Sequence, residues 1–201
     1  MLLNKIEFAA MNNPVWGALQ RLLVSSRWLP HSSLVRAHPR ILEIGCGSGR
    51  GTHALWKFYS PREIYGIDLD EQMIQNAKRF EKENVHFEIG NASQLEFPDN
   101  SFDAVFDSGV LHHLSDWRDC VRECYRVLNP GGVMYIMDFS IETFTSPVGN
   151  ILKHFSVHPY REMYHAQELV EYFKQVGFEI SHYTRHNSLH LLKNFTLIAK
   201  K

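Results

Sequence analysis

From Arg40 onward, short apolar segments alternate with segments whose apolar residues recur every three or four positions. The short segments predict five buried strands, at residues 40–44, 63–68, 85–89, 102–107 and 133–139. Helical periodicity is clear behind Asp70 and behind Asp116, and aspartate is a favoured residue at a helix N-cap. Strand–helix alternation of this kind predicts a parallel sheet with helices on both faces.

The alternation changes towards the C-terminus. The Asn-Pro-Gly-Gly sequence at 129–132 predicts a break before the fifth strand, and residues 140–164 fit neither period. A helix predicted over 166–175 leads to two strand-like runs, 178–185 and 194–200, which are close enough to be antiparallel neighbours. The predicted fold is therefore α/β, with a doubly wound, seven-stranded, mostly parallel sheet and an antiparallel C-terminal strand.

Residues 1–37 stand apart from this pattern and predict an N-terminal helical extension of one or two amphipathic helices. The extension could act as a lid over the ligand edge of the sheet or as a dimer contact, or it could only pack on the sheet. Residues 38–201 then form the main domain. Within it, residues 140–164 are predicted to be an insertion.

Composition narrows the possible partners and the cellular location. The net charge is -1, and no basic run is interleaved with aromatic residues, so we expect no nucleic-acid partner. The chain has three cysteines, a small and odd number that does not fit a disulfide framework. We therefore expect a cytoplasmic location. No apolar run reaches the roughly 18 residues that a membrane-spanning helix needs, and no secretion signal is visible.

The first predicted strand runs directly into a glycine-rich turn that opens a predicted helix. Glycines at such a turn let the backbone bend sharply and let a ligand approach the main chain. The dinucleotide fingerprint G-x-G-x-x-G does not fit, because the sixth position is Arg50 or Thr52, depending on the starting glycine. The pattern present is E-x-G-x-G-x-G, which argues against a nicotinamide-dependent oxidoreductase.

This pattern resembles the first motif of the class I S-adenosylmethionine-dependent methyltransferases. Further similar features are Asp68 at the end of the second strand, Asn91 and Ala92 after the third, and the pair His112 and His113 after the fourth. The resemblance is nearest to the group that includes quinone-biosynthesis and many small-molecule methyltransferases. It implies S-adenosyl-L-methionine as cofactor, and an enzyme that transfers a methyl group to a small-molecule or lipid-like acceptor. It also implies that the insertion at residues 140–164 lies on the acceptor side. A protein that binds the cofactor without catalysis is the alternative.

The resemblance also implies a set of cofactor-binding residues. Asp68 would accept hydrogen bonds from the ribose hydroxyls, and its alternative role is a helix cap. Asn91 replaces the family's usual acid, but an amide can still pair with the adenine edge. Ser108 could equally be a structural serine in a turn. The full set is Glu43, Gly45, Cys46, Gly47, Asp68, Leu69, Asn91, Ala92 and Ser108.

His112 and His113 are the candidate catalytic residues, because histidine titrates near neutral pH and could take a proton from the acceptor. Their alternative role is structural. We predict no metal site: Cys120 and Cys124 lie on an apolar helix stripe, as core thiols do, and lack the short spacing of a zinc knuckle. The expected oligomeric state is a monomer or a homodimer.

Overall fold

A computed structural model of the protein describes residues 26–154, 158–188 and 192–201. Seven strands form one sheet in the order β3-β2-β1-β4-β5-β7-β6. Strands β1 to β5 are mutually parallel where they pair, and β7 runs antiparallel to both of its neighbours. This confirms the predicted sheet. The strands are β1 Arg40–Ile44, β2 Glu63–Asp68, β3 Val85–Ile89, β4 Phe102–Asp107, β5 Leu128–Phe139, β6 Glu179–Ser188 and β7 Leu192–Lys200.

Two groups of buried side chains cover the two faces of the sheet. One group includes residues from α3 and α6, and the other includes residues from α1 and α2 together with Trp28. Cys120 and Cys124 are free thiols, fully buried on the α3 side, which confirms their prediction as core residues. The helices are α1 Arg50–Tyr59, α2 Glu71–Ala77, α3 Trp117–Val127, α4 Ile141–Phe144, α5 Pro147–Leu152 and α6 Ala166–Val176. Three short 3₁₀ turns are Leu29–Leu34, Lys78–Phe80 and Leu111–His113.

The Asn-Pro-Gly-Gly sequence does not end a strand, so the predicted break is wrong as a boundary. Strand β5 already begins at Leu128, which pairs with Phe102. The next pair is Ala104 with Val133, so four residues of β5 stand opposite a single residue of β4. The glycines let this extra length bulge out of the ladder while the strand continues on both sides.

The two predicted helix caps have different outcomes. The Asp70 carboxylate accepts hydrogen bonds from the main-chain N–H groups of Gln72 and Met73, at 2.8 and 3.4 Å, which confirms it as the cap of α2. Asp116 occupies the N-cap position of α3, but its side chain makes no capping hydrogen bond. Its backbone torsions, φ -106° and ψ 37°, differ from the extended conformation of Asp70.

The described end of the N-terminal extension packs against the sheet. Trp28 is buried, with its ring centroid 5.0 Å from that of Phe106. The Tyr135 hydroxyl donates a hydrogen bond of 2.7 Å to the His31 carbonyl. Residues 1–25 lie outside the described residues, so a lid or dimer contact stays a prediction, as does the acceptor-side role of residues 140–164. Among the described helices, none has the length and apolarity needed to cross a bilayer.

Candidate functional site

A cleft opens at the carboxyl edge of the sheet, where β1 separates β2 and β3 from β4. Ligands bind at such switch points in doubly wound sheets. The cleft takes in about 940 Å³ of space between protein atoms, part of which is open to solvent. Eight of the nine predicted cofactor-binding residues line it: Gly45, Cys46, Gly47, Asp68, Leu69, Asn91, Ala92 and Ser108. The ninth, Glu43, lies beneath the glycine-rich turn and does not line the cleft.

The glycine-rich turn between β1 and α1 depends on left-handed backbone. Gly45, Gly47 and Gly49 have φ values of 58°, 52° and 75°, a region that other residues rarely adopt. At Gly45 a side chain would also overlap Val110, which follows β4. The turn therefore packs closely against the end of β4 and exposes its main chain to the cleft.

Asp68 ties two turns together at the end of β2. Its carboxylate accepts hydrogen bonds from the N–H groups of Gly47 and Asp70, at 2.8 and 2.9 Å. Burial raises the pKa of Asp68, and these two hydrogen bonds oppose that rise. Asp70, not Asp68, caps α2, so the capping role does not account for Asp68.

Glu43 is a buried acid inside β1. Its carboxyl group accepts a hydrogen bond from the Thr52 hydroxyl, and a side chain at Gly51 would overlap it. Burial raises the pKa of Glu43 to about 8, against 4.5 ordinarily, and the negative charge of Asp68 adds to the rise. Glu43 thus supports the turn from below as a protonated acid at neutral pH.

The far side of the cleft combines apolar and polar surface. Leu69 is 49% exposed although it is a large apolar side chain, so it presents apolar surface to the cleft. Asn91 is exposed, and its side-chain oxygen accepts a hydrogen bond of 2.9 Å from the Ser93 N–H. Ala92 and Ser108 complete this part of the lining.

Arg50 also lines the cleft, and it is absent from the predicted set. It is the first residue of α1, directly behind the glycine-rich turn. Its Nε is buried and has no hydrogen-bond partner within the described parts of the chain. The signal in the sequence was a single basic residue after the last glycine of the motif.

The two candidate catalytic histidines occupy different positions. His113 lines the cleft, whereas His112 is buried behind it, only 5% exposed. Nδ1 of His112 pairs with the Asp138 carboxylate, which also accepts hydrogen bonds from the main-chain N–H of His112, at 3.1 Å, and from the Tyr164 hydroxyl, at 2.9 Å. His112 is therefore held rigidly at the end of β5.

A third histidine joins the pair. The His158 ring stacks on both His112 and His113, with centroid separations of 5.0 and 4.4 Å. Burial lowers the pKa of His158 to about 4 and lowers that of His113 further, so both imidazoles are neutral at pH 7. Nothing in the sequence pattern linked His158 to the pair, because 45 positions separate it from His113.

Comparison with known proteins agrees with this geometry. Residues 42–136 match the family described as "Methyltransferase domain". The chain is 32% identical to the demethylmenaquinone methyltransferase of Geobacillus kaustophilus over 178 residues, covering 75% of this chain and 76% of that protein. It is 35% identical to a probable S-adenosylmethionine-dependent methyltransferase of Mycolicibacterium smegmatis, covering 70% of this chain but only 52% of that longer protein. This chain thus spans about half of that relative's length.

The fold recurs in solved structures. An S-adenosylmethionine-dependent methyltransferase from Aquifex aeolicus superposes with a TM-score of 0.70 at 19% identity, covering 98% of both chains. The fold, the cleft and the sequence matches together define a class of protein. This chain belongs to the class I S-adenosylmethionine-dependent methyltransferases, in the group that resembles quinone-biosynthesis enzymes. S-adenosyl-L-methionine is the cofactor of that family.

Proposed function

We propose that this protein transfers the methyl group of S-adenosyl-L-methionine to a small-molecule or lipid-like acceptor. The observation that carries the proposal is that eight predicted cofactor-binding residues, taken from four separate strand ends, line one cleft. When bound, S-adenosyl-L-methionine would supply an activated methyl group for in-line transfer to an acceptor atom, with cleavage of the carbon–sulfur bond and release of S-adenosylhomocysteine. An acceptor that carries a proton releases it to a base or to water. The protein's main tasks are alignment and exclusion of water.

The proposed cofactor contacts follow the polarity of the cleft. Asp68 binds the ribose hydroxyls, and the main chain of Gly45 to Gly47 faces the methionine part. Leu69 offers its exposed apolar surface to the adenine ring, with Asn91 at the ring's polar edge. Arg50 has a buried guanidinium nitrogen without a hydrogen-bond partner among the described residues, which suits the cofactor's carboxylate.

The acceptor is proposed to enter beside the histidines. His113 lines the cleft and so lies nearest to a bound acceptor, while His112 is fixed behind it by Asp138. Of the two histidines predicted to be catalytic, His113 would contact the acceptor, and His112 would position the His113 ring, whose centroid is 4.0 Å away. A relative named for methylation of demethylmenaquinone supports a quinone-like or other small apolar acceptor. A cytoplasmic location and a monomeric or homodimeric state stay predictions.

Calorimetric titration with S-adenosylhomocysteine tests the cofactor site. The Asp68→Asn variant keeps the size of the side chain but loses the charge and one acceptor oxygen. A hydrogen bond to a charged group contributes about 1.5–3 kcal/mol, so we expect affinity to fall roughly 10- to 100-fold. Asp99→Asn is the matched control, because Asp99 is exposed, pairs with Arg126 and lies outside the cleft.

Two outcomes would contradict the proposal. One is equal affinity of the wild type and the Asp68→Asn variant for S-adenosylhomocysteine. The other is binding of NADH without binding of S-adenosylhomocysteine. Once cofactor binding is established, turnover of labelled S-adenosyl-L-methionine with a panel of quinols, phenols and amines identifies the acceptor class.

A further inference from the structure

Three imidazole side chains from two distant segments meet beside the cleft. His112 and His113 belong to the 3₁₀ turn after β4, and His158 belongs to the connection between α5 and α6. One ring nitrogen of each lies within 4.8 Å of those of the other two. Among the histidine, cysteine and acidic side chains of the described residues, these three histidines have the spacing of a metal site.

Asp138 orients one of the three as a metal ligand would be oriented. Histidines that bind a metal through one ring nitrogen commonly donate a hydrogen bond from the other ring N–H to a carboxylate. This hydrogen bond fixes the tautomer and the orientation of the ring. Nδ1 of His112 pairs with Asp138 in this way, leaving Nε2 to bind an ion. Asp138 is itself held by the Tyr164 hydroxyl, at 2.9 Å, and by the Phe139 N–H, at 2.6 Å.

His113 supplies an independent observation. Its Nδ1 is buried and lacks a hydrogen-bond partner among the described residues. A buried polar atom without a partner destabilises the fold, and an ion bound to it would remove that cost.

We propose that His112, His113 and His158 bind one divalent transition-metal ion, with Zn²⁺ as the reference ion. Three nitrogen donors suit zinc, cobalt and nickel, and they do not suit Mg²⁺ or Ca²⁺, which prefer oxygen. From the sequence we expected no metal site, because Cys120 and Cys124 resemble core thiols and lack the short spacing of a zinc knuckle. Closure onto an ion about 2.0–2.1 Å from each nitrogen requires the three rings to move closer together.

The site would border the reaction space. Three protein ligands leave a fourth tetrahedral position open. Since His113 also lines the cleft, an acceptor oxygen could occupy that position, and the ion would favour its deprotonated form. This last step rests on the proposed function, whereas metal binding itself does not.

The test uses the full chain without an affinity tag, because the protein already has 12 histidines. The protein is stripped with a chelator and titrated at pH 7 with Zn²⁺ by calorimetry and with Co²⁺ by visible absorption. We expect one ion per chain and the intense absorption of tetrahedral Co²⁺. His158→Gln should weaken binding at least tenfold, and Asp138→Asn about 10- to 100-fold. His154→Gln, an exposed histidine of the neighbouring segment, should have no effect.

Absence of stoichiometric binding by the wild type would overturn the proposal. So would binding that His158→Gln leaves unchanged, or a Co²⁺ spectrum typical of weak octahedral sites. The wild-type spectrum decides the matter even if a variant fails to fold. Titration with S-adenosylhomocysteine on the same samples separates the two proposals. Binding of S-adenosylhomocysteine without metal refutes the metal site alone, and metal binding without S-adenosylhomocysteine refutes the proposed function alone.

Discussion

The buried acid beneath the glycine-rich turn gives a measurable dependence of stability on pH. Glu43 is fully buried, and its pKa rises from 4.5 to about 8 on folding. Below pH 4.5 the carboxyl is protonated in both states, and the folded protein has its full stability. As the pH rises towards 8, the unfolded chain releases this proton and the folded protein retains it. Each pH unit then lowers the free energy of unfolding by about 1.4 kcal/mol, or about 5 kcal/mol in all.

Replacing Glu43 with glutamine removes this dependence, because the amide keeps the shape and still accepts a hydrogen bond from the Thr52 hydroxyl. Urea unfolding of both proteins between pH 5 and pH 8 gives the comparison. We expect the free energy of unfolding to fall more steeply with pH in the wild type than in Glu43→Gln. Glu88→Gln, at an exposed position of β3, serves as the control and should follow the wild type. Parallel curves for wild type and Glu43→Gln would show that the folded protein holds this acid ionised, and the argument from burial would fail.

Two further comparisons test local structure through urea unfolding. Gly45→Ala should lower the free energy of unfolding clearly more than Gly47→Ala. Both substitutions force alanine into the left-handed conformation, which costs about 1–2 kcal/mol. Only at Gly45 would the added Cβ also overlap Val110. Equal losses would mean that the turn can move away from β4. Asp70→Ala should cost about 1 kcal/mol through loss of its helix cap, whereas Asp116→Ala should change little because its side chain caps nothing. A larger loss at Asp116 than at Asp70 would contradict the assignment of the caps.

The centre of the sheet could be predicted because β1 and β4 are buried along almost their whole length. Buried parallel strands are short apolar runs, and the helices between them have a distinct period. The boundary of β5 could not be found in this way. Proline and two glycines normally end a strand, and only the pairing with β4 shows that this segment bulges while the ladder continues.

Part of the candidate site could be predicted from the sequence, and part could not. Asp68 is the last residue of β2 and Asn91 lies two residues after β3, so their convergence at one sheet edge follows from the predicted topology. The contacts behind the cleft depend on side chains far apart in sequence. The Tyr164 hydroxyl donates a hydrogen bond to Asp138, and the His158 ring stacks on the histidine pair. No local pattern encodes such contacts, because they arise only when the segment after β5 folds back.

The two hydrogen bonds that Asp68 already accepts would affect which nucleosides the proposed cofactor site can bind. A carboxylate offers about four lone-pair sites, and the N–H groups of Gly47 and Asp70 occupy two of them before any ligand arrives. Two lone-pair sites remain, one for each of the 2′ and 3′ hydroxyls of a 5′-substituted nucleoside. In the proposed contact with the cofactor, a full ribose would saturate the acid, whereas a deoxyribose would leave one buried acceptor without a hydrogen bond. Discrimination against deoxynucleosides would then arise from an unpaired hydrogen-bond acceptor of the protein and would need no steric barrier in the cleft.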